Sequence, residues 1–269
     1  VNVCLSGGQV AAGLAAGSQG LIADGIHSLS DLLADFVVLL ANRHSHKEAD
    51  DDHQYGHQRY ETAASLFLGL SLLAVGIGMV WNAAGKVIHP SVAPVQWLAL
   101  YVALGALVAK EALFRYMLAV AKRVKSSLLI ANAWHARSDA ASSLVVAIGI
   151  VGNLLGFPFL DPAAALIVGF MVSKMGWQFG WEALHDLTDR AATDDEVQHI
   201  RSEILSTPGV EGIHDLRTRK AGDMIIIDVH LEIKGNLTVR EGHDIAKLAR
   251  ANVMAKHPVL HMMTHVDPV

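Results

Sequence analysis

Residues 20–43, GLIADGIHSLSDLLADFVVLLANR, are apolar enough to lie within a membrane, yet they carry Asp24, His27, Asp31 and Asp35. Steps of three, four and four residues put these side chains along one stripe of an α-helix. Ionisable groups at membrane depth are costly, so each needs a partner, a cavity or a task. The partner is legible in residues 132–143, NAWHARSDAASS, where His135 and Asp139 repeat the spacing of His27 and Asp31. Two such pairs on two helices supply two imidazoles and two carboxylates to one tetrahedral site, a donor set that suits Zn²⁺. The competing reading is a buried polar network that only ties the two helices together. Asp24 and Asp35 lie toward the ends of the stripe, which predicts a mouth or helix-end role for them.

Few other stretches argue for a soluble protein. Of 269 residues, 52% are hydrophobic and only 17% charged, and the mean hydropathy is +0.36. Long apolar blocks fill residues 1–185 and charge returns afterwards, which predicts a membrane domain over 1–185 and a small soluble domain over 186–269. A net charge of −5 offers no basic face for nucleic acid. A single cysteine, Cys4, rules out a disulfide framework and a Cys-based zinc site, and is read as a packed small residue. The chain opens at Val1 inside an apolar run, so a truncated first helix and a missing N-terminal segment are expected.

Apolar runs predict six spans: 1–17, 20–43, 62–84, 95–121, 127–155 and 160–181. Pro90 and Pro94 bracket a turn between the third and fourth. Arg43, Lys47, Arg59, Lys122, Arg123 and Lys125 crowd the loops after the second and fourth spans, whereas the opposite turns hold only Lys86. The positive-inside bias then makes these loops, both termini and the soluble domain cytoplasmic. In that domain Thr193 opens a helix to about Ser206, and Thr238 with Glu241 forms a capping box for a second helix to about Lys256. Strands are expected at 212–219, 224–233 and 259–267. The αββαβ order implies a three-stranded sheet with two helices on one face.

Two further donor clusters stand out. In the loop ADDDHQYGHQRYE, Asp50, His53 and His57 offer three ligands that a turn at Gly56 could bring together. The bland alternative is a solvated loop that merely concentrates cations. The tail carries His214, His230, His243, His261, His265 and Asp267, a density that points to a further metal site. No His-Glu-x-x-His helix and no Gly-rich phosphate loop occur, which leaves a zinc-protease site and ATP hydrolysis unsupported.

Taken together, IADGIHSLSD, ADDDHQYGHQRYE, WHARSD, GIHDLRTRKAGD, IDVHLEIKGNL and THVDP resemble the cation diffusion facilitator family, specifically its bacterial zinc/ferrous-iron efflux branch. The resemblance implies a homodimer of six-helix protomers with metallochaperone-like α+β cytoplasmic domains, exchanging metal for protons across the bacterial cytoplasmic (inner) membrane. It implies a transport site of His27, Asp31, His135 and Asp139, a loop site of Asp50, His53 and His57, and tail ligands His214, His230, His243, His265 and Asp267, with His261 as a further participant. His27 stands where many bacterial members have aspartate, which bears on metal choice. Val266, between His265 and Asp267, stands where a polar residue is common.

The resulting expectation is a Zn²⁺ exporter working by alternating access, with the ion as cargo and as a structural or regulatory ligand, and without enzymatic activity. Its competitors are a transporter of the same fold moving Fe²⁺, Co²⁺, Mn²⁺ or Cd²⁺, and a membrane metal sensor. An intramembrane hydrolase is a weaker competitor, because four matched ligands leave no open coordination position.

Overall fold

The structure, a computed structural model, describes residues 2–89, 95–124 and 127–269, apart from the side chains of residues 2, 127–129, 131, 132 and 135. The turn expected at Pro90 and Pro94, and Lys125 of the basic loop, lie outside the described residues. The described chain begins with six helices, α1 (Asn2–Ala16), α2 (Gln19–Ser45), α3 (Arg59–Ile88), α4 (Trp97–Arg123), α5 (Ser127–Leu154) and α6 (Leu160–Leu187). It continues as α7 (Asp194–Leu205), β1 (Gly212–Ala221), β2 (Met224–Ile233), α8 (Val239–Lys256) and β3 (Val259–Pro268).

Among the described residues, α3 and α4 are long and apolar enough to cross a membrane by length and composition alone. Helix α2 is diluted by the four ionisable residues of its stripe. Cys4, expected to be packed, is exposed on α1.

The residues group into two units, Val1–Val37 with Leu68–Phe179, and Val38–Phe67 with Gly180–Val269. The first is a helical bundle whose core runs through Leu21, Ala99, Ala103, Val146, Ile150 and Val168. Its turns are fixed by polar groups the sequence does not advertise. Asp161, in the first turn of α6, accepts from the backbone N–H groups of Gln19 and Gly20 and from the Ser18 hydroxyl. A carboxylate thereby satisfies the orphan donors at the start of α2. Within this unit α3 and α6 touch backbone to backbone. A Cβ on Gly176 would collide with the Leu73 amide, and one on Gly76 with Ser173, the small-residue contact expected between helices in lipid.

The second unit contains the tail domain. Its sheet has the order β1-β2-β3, with β1 antiparallel and β3 parallel to β2. Ile225, Ile227, Val229 and Leu231 point to one face, where Ile200 and Ile204 of α7 and Ala246, Ala249 and Val253 of α8 cover them. Both helices start in capping boxes, Thr193 with Glu196 and Thr238 with Glu241, and the hairpin turns at Gly222 in a left-handed conformation (φ 60°). Strand β1 bulges between His214 and Arg217, so that Asp215 (φ 47°) and Leu216 stand opposite one residue of β2. Ile213 and Leu216, three residues apart, therefore both pack toward the core.

Candidate metal centres

In the first unit, His27 and Asp31 project from successive turns of α2 toward Asp139 of α5. One ligand atom from each lies within 4.8 Å of the others. His27 is buried, the two carboxylates are half-buried, and His27 Nδ1 stands 3.6 Å from Asp31 Oδ2. Tetrahedral coordination with 2.0–2.1 Å bonds requires donors roughly 3.3 Å apart, close to this spacing. His135 sits on α5 one turn before Asp139, and its side chain lies outside the described residues. Asp31 and Asp139 open on a cavity of about 210 Å³ that is also lined by Ser28, Asp35 and Lys110. Asp35 is exposed at this chamber, in keeping with a mouth position.

Asp24 is not at a mouth. It is 1% exposed and accepts from Gln9 of α1, Lys110 of α4 (3.1 Å) and the Ser142 and Ser143 hydroxyls of α5 (3.2 and 2.7 Å). Lys110 donates also to Ser143 (2.7 Å). A buried carboxylate needs such partners to remain charged. Sequence spacing alone groups Asp24 with its own stripe. Lys110, which follows thirteen uncharged residues of α4, is the sequence signal for its partner.

In the second unit, the loop after α2 gathers Asp50, His53 and His57, again within 4.8 Å. Asp50 stands 3.4 Å from His53 Nδ1 and 3.3 Å from His57 Nε2. The loop closes through the left-handed Gly56 (φ 84°), whose N–H reaches the His53 carbonyl. Nδ1 of His57 lies 3.1 Å from the Glu48 carbonyl. Donation there leaves Nε2 facing Asp50, the second-layer arrangement that orients a histidine ligand. The backbone N–H of His53, bonded to Asp50, holds that carboxyl below the usual carboxylate range, helped by the two nearby imidazoles.

In the tail, His214, His230 and His265 form a row across the three strands, paired His214 to His230 and His230 to His265. Their ring centroids lie 4.8 and 4.6 Å apart, with the rings tilted at 35° and 42° to one another. All three converge on Asp267, at 3.0, 2.8 and 3.2 Å respectively. The His230 ring bonded to Asp267 holds its carboxyl below the ordinary value, with the other two imidazoles adding to the effect. The row lies on the polar face, opposite α7 and α8. His243 is exposed on α8, next to Gly242, which packs toward Ile233 and Val266 of the opposite face. His261 shares the polar face of β3 but sits at its far end, beside Ile226, where it lines a groove with His46 and Tyr55 of the loop. The fold thus joins four of the six tail candidates.

The cation efflux transmembrane domain profile matches residues 1–188, and the profile of the cation efflux protein cytoplasmic domain matches residues 192–269. Metal tolerance protein C1 of Arabidopsis thaliana is 35% identical over 99% of this chain, which spans 60% of that protein. The manganese efflux system protein MneS of Bacillus subtilis is 31% identical over 94% of this chain and 87% of its own length. A variant of MamM CTD, solved in its nickel form, is similar to 29% of this chain and 99% of its own at 22% identity, with a TM-score of 0.28.

Proposed function

The chain belongs to the cation efflux family, a family of transporters rather than enzymes, and from that premise we propose that it exports Zn²⁺ from the cytoplasm in exchange for protons. The observation that supports this reading is the convergence of His27, Asp31 and Asp139 from two helices of the bundle, with His27 buried and the two carboxylates half-buried. His135, one turn from Asp139, completes a set of two nitrogens and two carboxylates. Imidazole donors favour zinc and its borderline neighbours over oxygen-seeking ions.

Proton exchange follows from the same atoms. Metal requires deprotonated ligands, so protons and metal compete for them. Histidine, with an unperturbed pKa near 6.5, releases and takes up protons close to the pH on either side of a membrane. The proposed topology has six spans in a membrane domain over 1–185, with the termini and the 186–269 domain in the cytoplasm of a bacterial inner membrane. Basic residues concentrated after the second and fourth helices support this orientation. The tail domains pair two protomers into a homodimer, and the loop and tail clusters take metal as structural or regulatory ligand. His243 and His261, apart from the row in one protomer, would join a tail site only from another direction.

A second reading, Mn²⁺ as cargo, has support in the likeness to a manganese efflux protein and in Asp35, a further oxygen donor at the chamber. Flux into proteoliposomes decides between them. Zn²⁺ is expected to move faster than Mn²⁺ and to be driven by a pH gradient. Metal flux indifferent to the gradient would remove antiport, and preference for Mn²⁺ would install the second reading.

A further inference from the structure

The transport chamber has a cation of its own. Lys110 lines the same cavity as Asp31, Asp35 and Asp139, yet its ammonium is bonded to Asp24 and Ser143. Asp24 in turn is immobilised by Gln9, Ser142 and Ser143. Four helices, α1, α2, α4 and α5, thus contribute to one buried pair, one helical turn from the ligand residues of both α2 and α5.

A tie between helices needs no full charges, since serine and glutamine hydroxyl and amide groups would serve. Charge matters because of what else the cavity contains. Asp31, Asp35 and Asp139 put three carboxylates beside an ammonium in a partly desolvated space, where opposite charges attract far more strongly than in water. An ammonium released from Asp24 would turn to those carboxylates and occupy the position that a divalent ion needs.

We propose that Asp24 sequesters the Lys110 ammonium, so that this internal pair sets the affinity of the chamber for its divalent cargo. Asp24 and Lys110 are positioning residues, acting on the metal through Asp31 and Asp139. The inference rests on the transport reading above. It makes the two partners unequal. Removing the anion frees a competitor, whereas removing the cation frees none and leaves one more negative charge nearby. A purely structural pair would make both losses similar, and the double loss no better than either.

The test measures Zn²⁺ flux in proteoliposomes and Zn²⁺ binding to the full chain in detergent. The chains compared are wild type, Asp24→Asn, Lys110→Met and the double variant, each checked for a monodisperse state. Asp24→Asn is expected to raise KM by about tenfold or more, the scale on which loss of one partner of a desolvated pair is felt, with a smaller change in maximal rate. Lys110→Met is expected to leave KM unchanged or lower it, and the double variant to return KM to near the wild-type value. Equal effects of the two single changes, or a double variant no better than Asp24→Asn, overturn the proposal. If Asp24→Asn does not fold, Ser143→Ala removes the second anchor of Lys110 and is expected to raise KM in the same direction by less. An unmoved KM in that variant overturns the proposal as well. A wild-type chain that neither binds nor moves metal would instead overturn the transport reading.

Discussion

Arg59, at the start of α3, bonds the carboxylate of Asp189, two residues beyond the end of α6, and the same guanidinium reaches the Leu187 carbonyl at 3.3 Å. Asp189 does more than supply charge. With φ at 62° it is the left-handed residue that ends α6. The N–H of Arg190 returns to His185 and that of Asp189 to Asp186, the hydrogen-bond pattern of a Schellman cap. One residue thus stops a helix and anchors the foot of another.

These two duties separate by substitution. Asp189→Gly keeps the backbone and loses the pair, whose side chains are half exposed, so it should cost no more than about 1 kcal/mol. Asp189→Ala loses both and should cost about 1 kcal/mol more, because alanine resists the left-handed conformation. Thermal unfolding of the full chain in detergent measures the difference. Equal losses would mean that the cap contributes nothing. A double-mutant cycle with Arg59→Ala measures the pair alone.

The membrane cluster makes a sharper demand. Asp139→Ala and His135→Ala should each reduce Zn²⁺ flux to background while leaving the tail folded. Undiminished flux in either would remove the cluster as the transport site.

Metal choice should follow residue 27. His27→Asp replaces one imidazole by a third carboxylate, and harder oxygen sites accept a wider range of ions. Competition flux should show the wild type preferring Zn²⁺ over Cd²⁺ and Mn²⁺, and the variant relaxed toward Cd²⁺ and Fe²⁺. Identical selectivity in the two chains would show that another group sets it.

At the histidine row, His230→Ala with His265→Ala should change dimer stability or apparent affinity more than maximal rate, because neither side chain belongs to the membrane cluster. Sedimentation with and without metal, alongside flux, checks this. Complete loss of transport by a stable double variant would place the tail in the ion pathway.

Acid should loosen the tail helices in a defined direction. The Thr193 backbone N–H, bonded to Glu196, holds that carboxyl below its ordinary value of 4.5, and Thr238 does the same to Glu241. Since folding depresses both, their contribution is fully present above about pH 4.5 and is lost as pH falls through the folded values. Helicity of the tail should therefore decline below that point. Thr193→Ala should cost about 1 kcal/mol at neutral pH, as N-cap losses do, and weaken the acid dependence. An unchanged pH profile in that variant would remove the cap as its source.

What could be seen beforehand depended on range. Helix α8 was legible because Thr238 and Glu241 are three residues apart, and β2 because Ile227, Val229 and Leu231 alternate with Asp228 and His230. The approach of Asp139 to His27 and Asp31 could be inferred because both helices carry the same spacing. Asp24 was misplaced because its partners, Lys110 and Ser143, are 86 and 119 residues away and follow no shared motif. Asp161 was overlooked for the same reason: it serves backbone donors, which have no sequence signature. Equal histidine content likewise made His243 and His265 look alike, and only the layering of helix on sheet separates them.

The irregularity in β1 has a consequence for how such chains can change over time. Counting back in twos from Arg219 passes through Arg217, Asp215 and Ile213, and misses His214. The histidine joins His230 and His265 because the bulge absorbs one residue of the three-residue step from His214 to Arg217. Loss of Asp215 or Leu216 would place His214 two residues before Arg217 and keep it on the polar face, whereas straightening the bulge at unchanged length would turn it toward the hydrophobic layer. A related chain lacking Asp215 would thus present the same histidine row from an unbroken ladder, and it is the identity of residue 214 rather than the length of the strand that this site restricts.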